Sequence, residues 1–365
     1  MIAERDKYVG IYSTPDRMPK YGHSNHGKHA LRFLEKWNPE SVVDVGCGWN
    51  EFADMVRPKC RAVGVDFACP GADVQAPADE LPFGDKSFDV LTSFDMLEHL
   101  REEEVPATLR EFARVSKRFI LSISYAESVN KWKGETLHPT VKPEEWWLLE
   151  LVRAGAVAIA KHGRYITGTW SPMLKIKPES SVILVGNGPS ILKQEQGQQI
   201  DSFDEVIRFN NYHIEGFERH TGAKTTLWGT FFKQGESATP RHHRVICSHE
   251  NDKPIPSCTE SYYVASIFYQ RIRTDVIRRA RWHSGFTREC HHLLASSGLM
   301  VASWLLDVVG VRKLTLAGFD HFDKNKSSRH HYWIDKAFKA PTEHDGQIEA
   351  EMFRELQVAG RVNYI

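Results

Sequence analysis

Residues 41–50 read SVVDVGCGWN and residues 181–190 read SVILVGNGPS. In both, a short β-branched run ends in glycines. That is the pattern of a strand buried on both faces, leading into a turn that needs residues without a Cβ. With a helix next in line, it is the opening unit of a doubly wound α/β domain. Two such openings, well separated, predict two α/β domains in tandem. The chain of 365 residues is long enough for two cores. Its 41% hydrophobic and 26% charged content is that of a globular protein rather than a disordered one. Lys+Arg and Asp+Glu balance at 47 each, so the average charge gives no reason to expect nucleic acid or an anionic membrane as partner.

Working outward from the first loop, strands are expected at RAVGVDF, FDVLTSF and RFILSIS. An amphipathic helix follows over KPEEWWLLELVRAGA, begun after Pro143, and closing strands over AVAIAKHG and RYITGTW. SPMLKIKPESS, from Ser171, has the proline and polar content of a linker. The expected division is 1–172, a linker over 173–180, and 181–365. Beyond the second loop, DEVIRFN, KTTLWGT, HRVICSH, RKLTLAGFD and VNYI read as strands. Helices over GLMVASWLLDVVG and IEAEMFRELQVAG precede the last two. The opening MIAERDKYVGIYS lacks the apolar run of a signal peptide, and no apolar stretch is long enough to span a bilayer, so a cytoplasmic protein is expected. The six cysteines are scattered without zinc spacing.

In the first loop, Asp44, Gly46, Cys47 and Gly48 sit where the strand gives way to a helix. Backbone can approach a ligand closely there, and helix N–H groups are free. Asp66 ends the next strand, where a carboxylate can accept both hydroxyls of a ribose. DVGCG, the acid at Asp66, DELPFGDKSFDVL and SFDMLEHL together resemble the class I S-adenosylmethionine-dependent methyltransferases, over roughly Val42 to Ser124. A nicotinamide-binding loop would prefer GxGxxG, which Trp49-Asn50-Glu51 breaks. The resemblance implies that Asp44, Gly46, Cys47 and Gly48 line the methionine end and that Asp66 holds the ribose. It puts Asp79 and Leu81 near the adenine, with Asp73 as a competitor, and Ser93-Phe94 under the sulfonium. Glu98-His99 reads either as a general base or as a helix N-terminal packing pair.

The second loop, Gly186-Asn187-Gly188, is followed by QQIDSFDEVIRFNNY and its Asn210, then by ASSGLM at Ser296-Ser297-Gly298, HHYW at His330–Trp333 and HDGQIE at His344–Glu349. Four separated motifs in this order resemble glycosyltransferase family 29, the eukaryotic-type sialyltransferases. The resemblance implies a sialyltransferase-like GT-A-variant fold behind the methyltransferase fold, two tandem Rossmann-like domains in all. It also implies inverting transfer of an acidic sugar from a CMP-sugar to a glycan or glycolipid. His344 would be the general base, with Glu349 supporting it. His331 and Tyr332 would donate to the CMP phosphate in place of a metal. Asn187 and Asn210 would hold phosphate and ribose, and Ser296, Ser297 and Gly298 the cytidine or donor carboxylate. No metal is expected, since the nearest acidic pair, in Asp320-His321-Phe322-Asp323, reads as a loop. The eukaryotic family joins its motifs by a disulfide, and here no cysteine lies near Ser181 or the helix after Ser297. CMP-sialic acid and CMP-Kdo both fit the motifs. Two other readings stay open: an active methyltransferase with a glycan- or nucleotide-binding rear module, and a non-catalytic scaffold.

Overall fold

Every strand run expected from the sequence forms. The computed structural model describes residues 4–14, 18, 21–23, 27–230, 244–248, 260–287, 289–321, 331–333 and 343–365. The chain divides into two compact units, Met1–Ser171 and Pro172–Ile365, so the linker-like residues 173–180 fall within the second.

The first unit opens with α1 (Glu4–Ser13) and α2 (Leu31–Trp37). It continues through β1 (Ser41–Val45), α3 (Glu51–Val56), β2 (Arg61–Val65), β3 (Phe88–Phe94), α4 (Val105–Val115) and β4 (Ser116–Ser122). A small hairpin, β5 (Lys131–Trp132) and β6 (Glu135–Thr136), precedes α5 (Glu144–Arg153), β7 (Ala156–His162) and β8 (Tyr165–Trp170). The main sheet has the order β2-β1-β3-β4-β8-β7. The first four strands are parallel, and β8 and β7 add antiparallel at the edge. Beyond β2 the sheet continues only as a single parallel bridge, Val65 to Val74.

The helix α4 shows why the sheet is covered. Pro106 starts it, where a missing N–H does no harm, and Val105, Thr108, Leu109, Phe112 and Val115 recur at helical spacing and are all buried. They pack on β3, β4 and α5. The chain turns extended at Ser116 and enters β4 with no intervening loop.

The second unit begins with β9 (Val182–Val185), α6 (Gly197–Asp201), β10 (Glu205–Phe209), α7 (Glu218–Thr221) and β11 (Leu227–Thr230). There follow β12 (Arg244–Ser248), β13 (Glu260–Val264), α8 (Ser266–His283) and α9 (Ser297–Trp304), whose last turn widens to a π-helix over Leu305–Val309. The chain closes with β14 (Leu314–Ala317), α10 (Gly346–Val358) and β15 (Val362–Tyr364). The described strands form one sheet in the order β13-β12-β11-β10-β9-β14-β15, parallel throughout.

In both sheets the order reverses beside the first strand, between β1 and β3 and between β9 and β14. Successive crossovers leave such a point on opposite faces and open a crevice at the carboxyl ends of the strands. Both glycine loops sit there. The strand β13 and the long helix α8 are additions to the sequence reading. Phe268, Ile272, Val276 and Ala280 of α8 are buried at a spacing of four.

Truncating Phe112, which is fully buried, should remove about 3–5 kcal/mol from the first unit. A urea titration of Phe112→Ala against the parent, followed by far-UV circular dichroism, checks this through the midpoint of the first unit's transition.

Candidate functional sites

A cavity of about 550 Å³ lies in the first unit at the carboxyl ends of β1, β2 and β3. Asp44, Gly46, Cys47, Gly48, Asp66 and Asp79 all line it, as does Phe94. Gly48 has a left-handed φ of 53°, and a Cβ there would meet the Gly22 carbonyl oxygen at 2.3 Å. The loop is therefore glycine for two reasons, conformation and the close approach of a neighbouring chain segment. That segment is laced to the loop: the Trp49 N–H donates to the Gly22 carbonyl at 3.2 Å, and the Trp49 indole to that of Tyr21 at 3.2 Å.

Asp66 orders the same wall. One oxygen accepts from the Gly48 N–H at 3.2 Å, and the other from those of Ala68 and Cys69 at 2.9 Å. Lone pairs remain on a carboxylate holding three donors. Asp44 is buried and accepts the Thr92 hydroxyl at 2.7 Å. Burial, reinforced by the nearby Asp66 and opposed by that hydrogen bond, pushes the Asp44 carboxyl up to about 7.

Three sequence assignments sit elsewhere. Leu81 and Ser93 are buried behind the wall and are not among the residues that face the cavity. Asp73 holds the Gly64 N–H at 2.8 Å and pairs with Arg57, which commits it to β2. His99 faces the cavity, whereas Glu98 is wholly buried beneath it. The sequence reading missed the contribution of α1: Arg5, Tyr8 and Tyr12 line the cavity, together with Met18, Tyr21 and Asn130. The i, i+4 pair Tyr8 and Tyr12 was the available signal.

In the second unit, hydrogen bonds tie the separated motifs together. The Tyr332 N–H donates to the Asn187 carbonyl at 3.2 Å, and the Asn187 amide to the Phe209 carbonyl at 3.2 Å. The Asn210 amide, on a residue with φ 49°, donates to the Ser297 hydroxyl at 3.4 Å. Next to it, the Ser296 N–H and hydroxyl donate to the two oxygens of Glu349 at 2.7 and 2.5 Å. The same hydroxyl accepts from Leu299 N–H and caps α9. His344 lies 2.9 Å from the Leu294 carbonyl through Nδ1, which leaves Nε2 as the acceptor if Nδ1 carries the proton. Burial raises the Glu349 carboxyl above its ordinary range, against the pull of the Ser296 bonds and the His344 imidazole.

The same geometry shows what several of the expected binding residues already do in the fold. Tyr332 is buried and its hydroxyl donates to the His213 carbonyl, which props the His331 segment. Ser296 is occupied by Glu349 and by the helix cap. Gly186 and Gly188 are required by packing, since a Cβ on either would meet the Gly318 carbonyl at 2.4 or 2.6 Å. Gly298 likewise lies under Phe319. His331 stacks on Trp333 with ring centroids 4.7 Å apart. His330 and Asp323 lie outside the described residues. A further cavity of about 400 Å³ in this unit opens at the other ends of β9 and β14, among Ser181, Val182 and Thr315.

Known proteins match both halves. Residues 43–118 match the family model of a methyltransferase domain. Residues 171–256 match that of glycosyltransferase family 29 (sialyltransferase). A CMP-N-acetylneuraminate-beta-1,4-galactoside alpha-2,3-sialyltransferase of Mus musculus is 47% identical over 49 residues, 13% of this chain and 13% of the relative. A CMP-N-acetylneuraminate-beta-galactosamide-alpha-2,3-sialyltransferase 1 of Sus scrofa is 23% identical over 205 residues, 51% of this chain and 59% of the relative. The crystal structure of a mammalian sialyltransferase in complex with Gal-beta-1-3GalNAc-ortho-nitrophenol is 21% identical, with a TM-score of 0.35, covering 51% of this chain and 69% of that one. The chain thus spans only part of the curated sialyltransferases it matches. It joins a methyltransferase domain to a sialyltransferase-like one, both transferase folds.

The raised Asp44 carboxyl has a consequence for stability. Between its unfolded value of 3.8 and about 7 the folded chain holds a proton that the unfolded chain has lost. The stability this proton contributes is complete below pH 3.8 and disappears as pH rises through about 7. Melting curves of ligand-free protein across pH 5 to 8 should show the first unit weakening with rising pH, and Asp44→Asn should flatten that slope.

Proposed function

We propose that the protein is a two-activity, glycan-modifying transferase. Residues 1–172 would transfer a methyl group from S-adenosylmethionine, and residues 181–365 an acidic sugar from a CMP-sugar of the sialic acid or Kdo type. The acceptor would be a glycan or glycolipid. The observation that carries this reading is the set of hydrogen bonds joining Asn187, Phe209-Asn210, Ser296-Ser297 and Glu349 at the carboxyl ends of β9 and β10, with Tyr332 and His344 attached to it.

In the sugar-transferring unit, the attacking hydroxyl must give up a proton as its oxygen bonds to the anomeric carbon. His344 takes that proton on Nε2 while the Leu294 carbonyl fixes the ring through Nδ1. Glu349 acts at one remove. It anchors the start of α9 to the first turn of α10 and so holds His344 against the serine loop. The bond to CMP breaks as the new one forms, and the phosphate gains charge. His331, held flat against Trp333, donates to it, so this step runs without a metal.

In the methyl-transferring unit, the cavity suits a nucleoside with a charged amino-acid tail. S-adenosylmethionine supplies a methyl group activated by its sulfonium. Asp44 at the base of the glycine loop would face the ammonium, Asp66 would accept the ribose hydroxyls, and Ala76 to Asp79 would border the base. Tyr8, Tyr12 and Tyr21 narrow the cavity and exclude water. The free thiols of Cys47, Cys60 and Cys69 suit the reducing cytoplasm, where this reading places the enzyme.

The test is to incubate the full chain with labelled CMP-sialic acid, CMP-Kdo and S-adenosylmethionine against a glycan panel, reading products by mass spectrometry. His344→Ala should lower sugar transfer by about 10²–10⁴-fold while CMP binding and methyl transfer persist. Asp66→Ala should weaken S-adenosylmethionine binding and leave sugar transfer intact. Sugar transfer undiminished in His344→Ala, or CMP binding without turnover of either sugar nucleotide, would refute the catalytic assignment of the second unit.

A further inference from the structure

Three side chains in the first unit meet in a way that neither reaction above uses. Glu98 lies in the 3-10 turn Leu97–His99 that follows β3, and His138 comes just after the β5–β6 hairpin. One ligand atom from each of Glu98, His99 and His138 lies within 4.8 Å of the others. Glu98 is 0% exposed; its Oε1 accepts the Ser124 N–H at 3.0 Å, and its Oε2 is buried with no hydrogen-bond partner. An orphaned carboxylate oxygen in a core is costly and calls for an explanation.

The hydrogen bonds of the two histidines fix what they offer. His99 Nδ1 lies 2.6 Å from the Leu137 carbonyl, and His138 Nδ1 lies 2.8 Å from the Ala126 carbonyl. A carbonyl oxygen only accepts, so each Nδ1 carries the ring proton and each Nε2 is left as a lone pair. The rings stand nearly perpendicular, with centroids 4.8 Å apart. One nitrogen of each ring and one carboxyl oxygen thus come together, and burial pushes the Glu98 carboxyl up to about 8, so a bound cation would take the place of its proton at neutral pH. An Nδ1–H bonded to a backbone carbonyl is the usual support behind a metal-binding histidine, where it sets the tautomer and the ring direction.

We propose that Glu98, His99 and His138 bind a first-row divalent transition-metal ion. Two imidazoles and a carboxylate suit zinc or iron(II) rather than magnesium or calcium, whose ligands are oxygens. Bonds of about 2.0–2.2 Å to a shared ion bring ligand atoms to within about 3.5 Å of one another, so the cluster contracts by about 1 Å on binding. His138 is partly exposed and can make that movement. His99 is also among the residues lining the 550 Å³ cavity, so the site borders it. There an oxygen-bearing acceptor could replace water on the metal. No metal-ligand spacing marks this site in the sequence, because Glu98 and His99 are adjacent and His138 lies in a different loop.

Metal content can be read without any assay of methyl or sugar transfer, so the result stands apart from the proposed activities. Full-length protein stripped with a chelator and dialysed would be titrated with Co²⁺ and Zn²⁺, following visible Co²⁺ absorption and calorimetric heats. The chain has 18 histidines, so the difference between variants decides, and bulk uptake does not. One Co²⁺ per chain should bind with new visible bands, and Glu98→Gln and His138→Ala should each weaken that site at least tenfold. Glu98→Gln keeps the shape of the buried group and His138 lies near the surface, so circular dichroism should stay as in the parent. Equal binding in the parent and both variants would overturn the proposal. So would the absence of Co²⁺ and Zn²⁺ binding by the parent at neutral pH, which would leave a proton on Glu98 as the occupant.

Discussion

Parallel strands cannot be joined by a tight turn, and both units of this protein follow from that constraint. Each strand must hand the chain to a crossover that returns over a face of the sheet. Where the order reverses, beside β1 and beside β9, two crossovers depart on opposite faces of the sheet. Everything chemical collects at that edge. In the first unit, Asp44, Gly48 and Asp66 come from the ends of two adjacent strands. In the second, Asn187, Asn210 and the loop at Gly318 come from the ends of three.

A crevice alone does not make a site, because loops at strand ends need something to hold them. In both units, buried or partly buried carboxylates do this. Asp66 gathers three N–H groups and fixes the loop after β2 against the glycine turn. Glu349 performs the same service between α9 and α10, with both oxygens spent on Ser296. Burying such a group is unfavourable unless its lone pairs are used, and each is given neutral N–H or O–H donors, with the His344 imidazole as a further neighbour of Glu349. The arrangement is rigid, and it leaves the neighbouring side chains, His344 and Asp44, set by geometry.

Most strands were legible because a parallel strand is largely buried and reads as a mostly apolar, β-branched run. SVVDV, FDVLTSF and SVILV could be placed by inspection for that reason. The helix α8 does not stand out in the sequence although its buried residues keep a spacing of four, because arginines and other polar residues take most of the positions between them. ESYYV, which forms β13, is too short and too polar at one end to stand out. Among site residues, those on glycine loops or strand ends were found. Tyr8 and Tyr12 were not: their i, i+4 spacing puts them on one helix face but does not tell which distant surface that face will cover.

By itself the sequence determined the two α/β units, the position of both glycine loops and the order of the four rear motifs, because these depend on local residue type and spacing. It could not decide which polar groups are free to act. Only the folded chain shows that Tyr332 spends its hydroxyl on His213, that Ser296 is claimed by Glu349 and that Asp73 belongs to β2. Only the fold brings His138 to Glu98 and His99. Hydrogen bonds between residues far apart in the chain have no periodicity to read, and they are settled only when packing fixes which donors and acceptors meet.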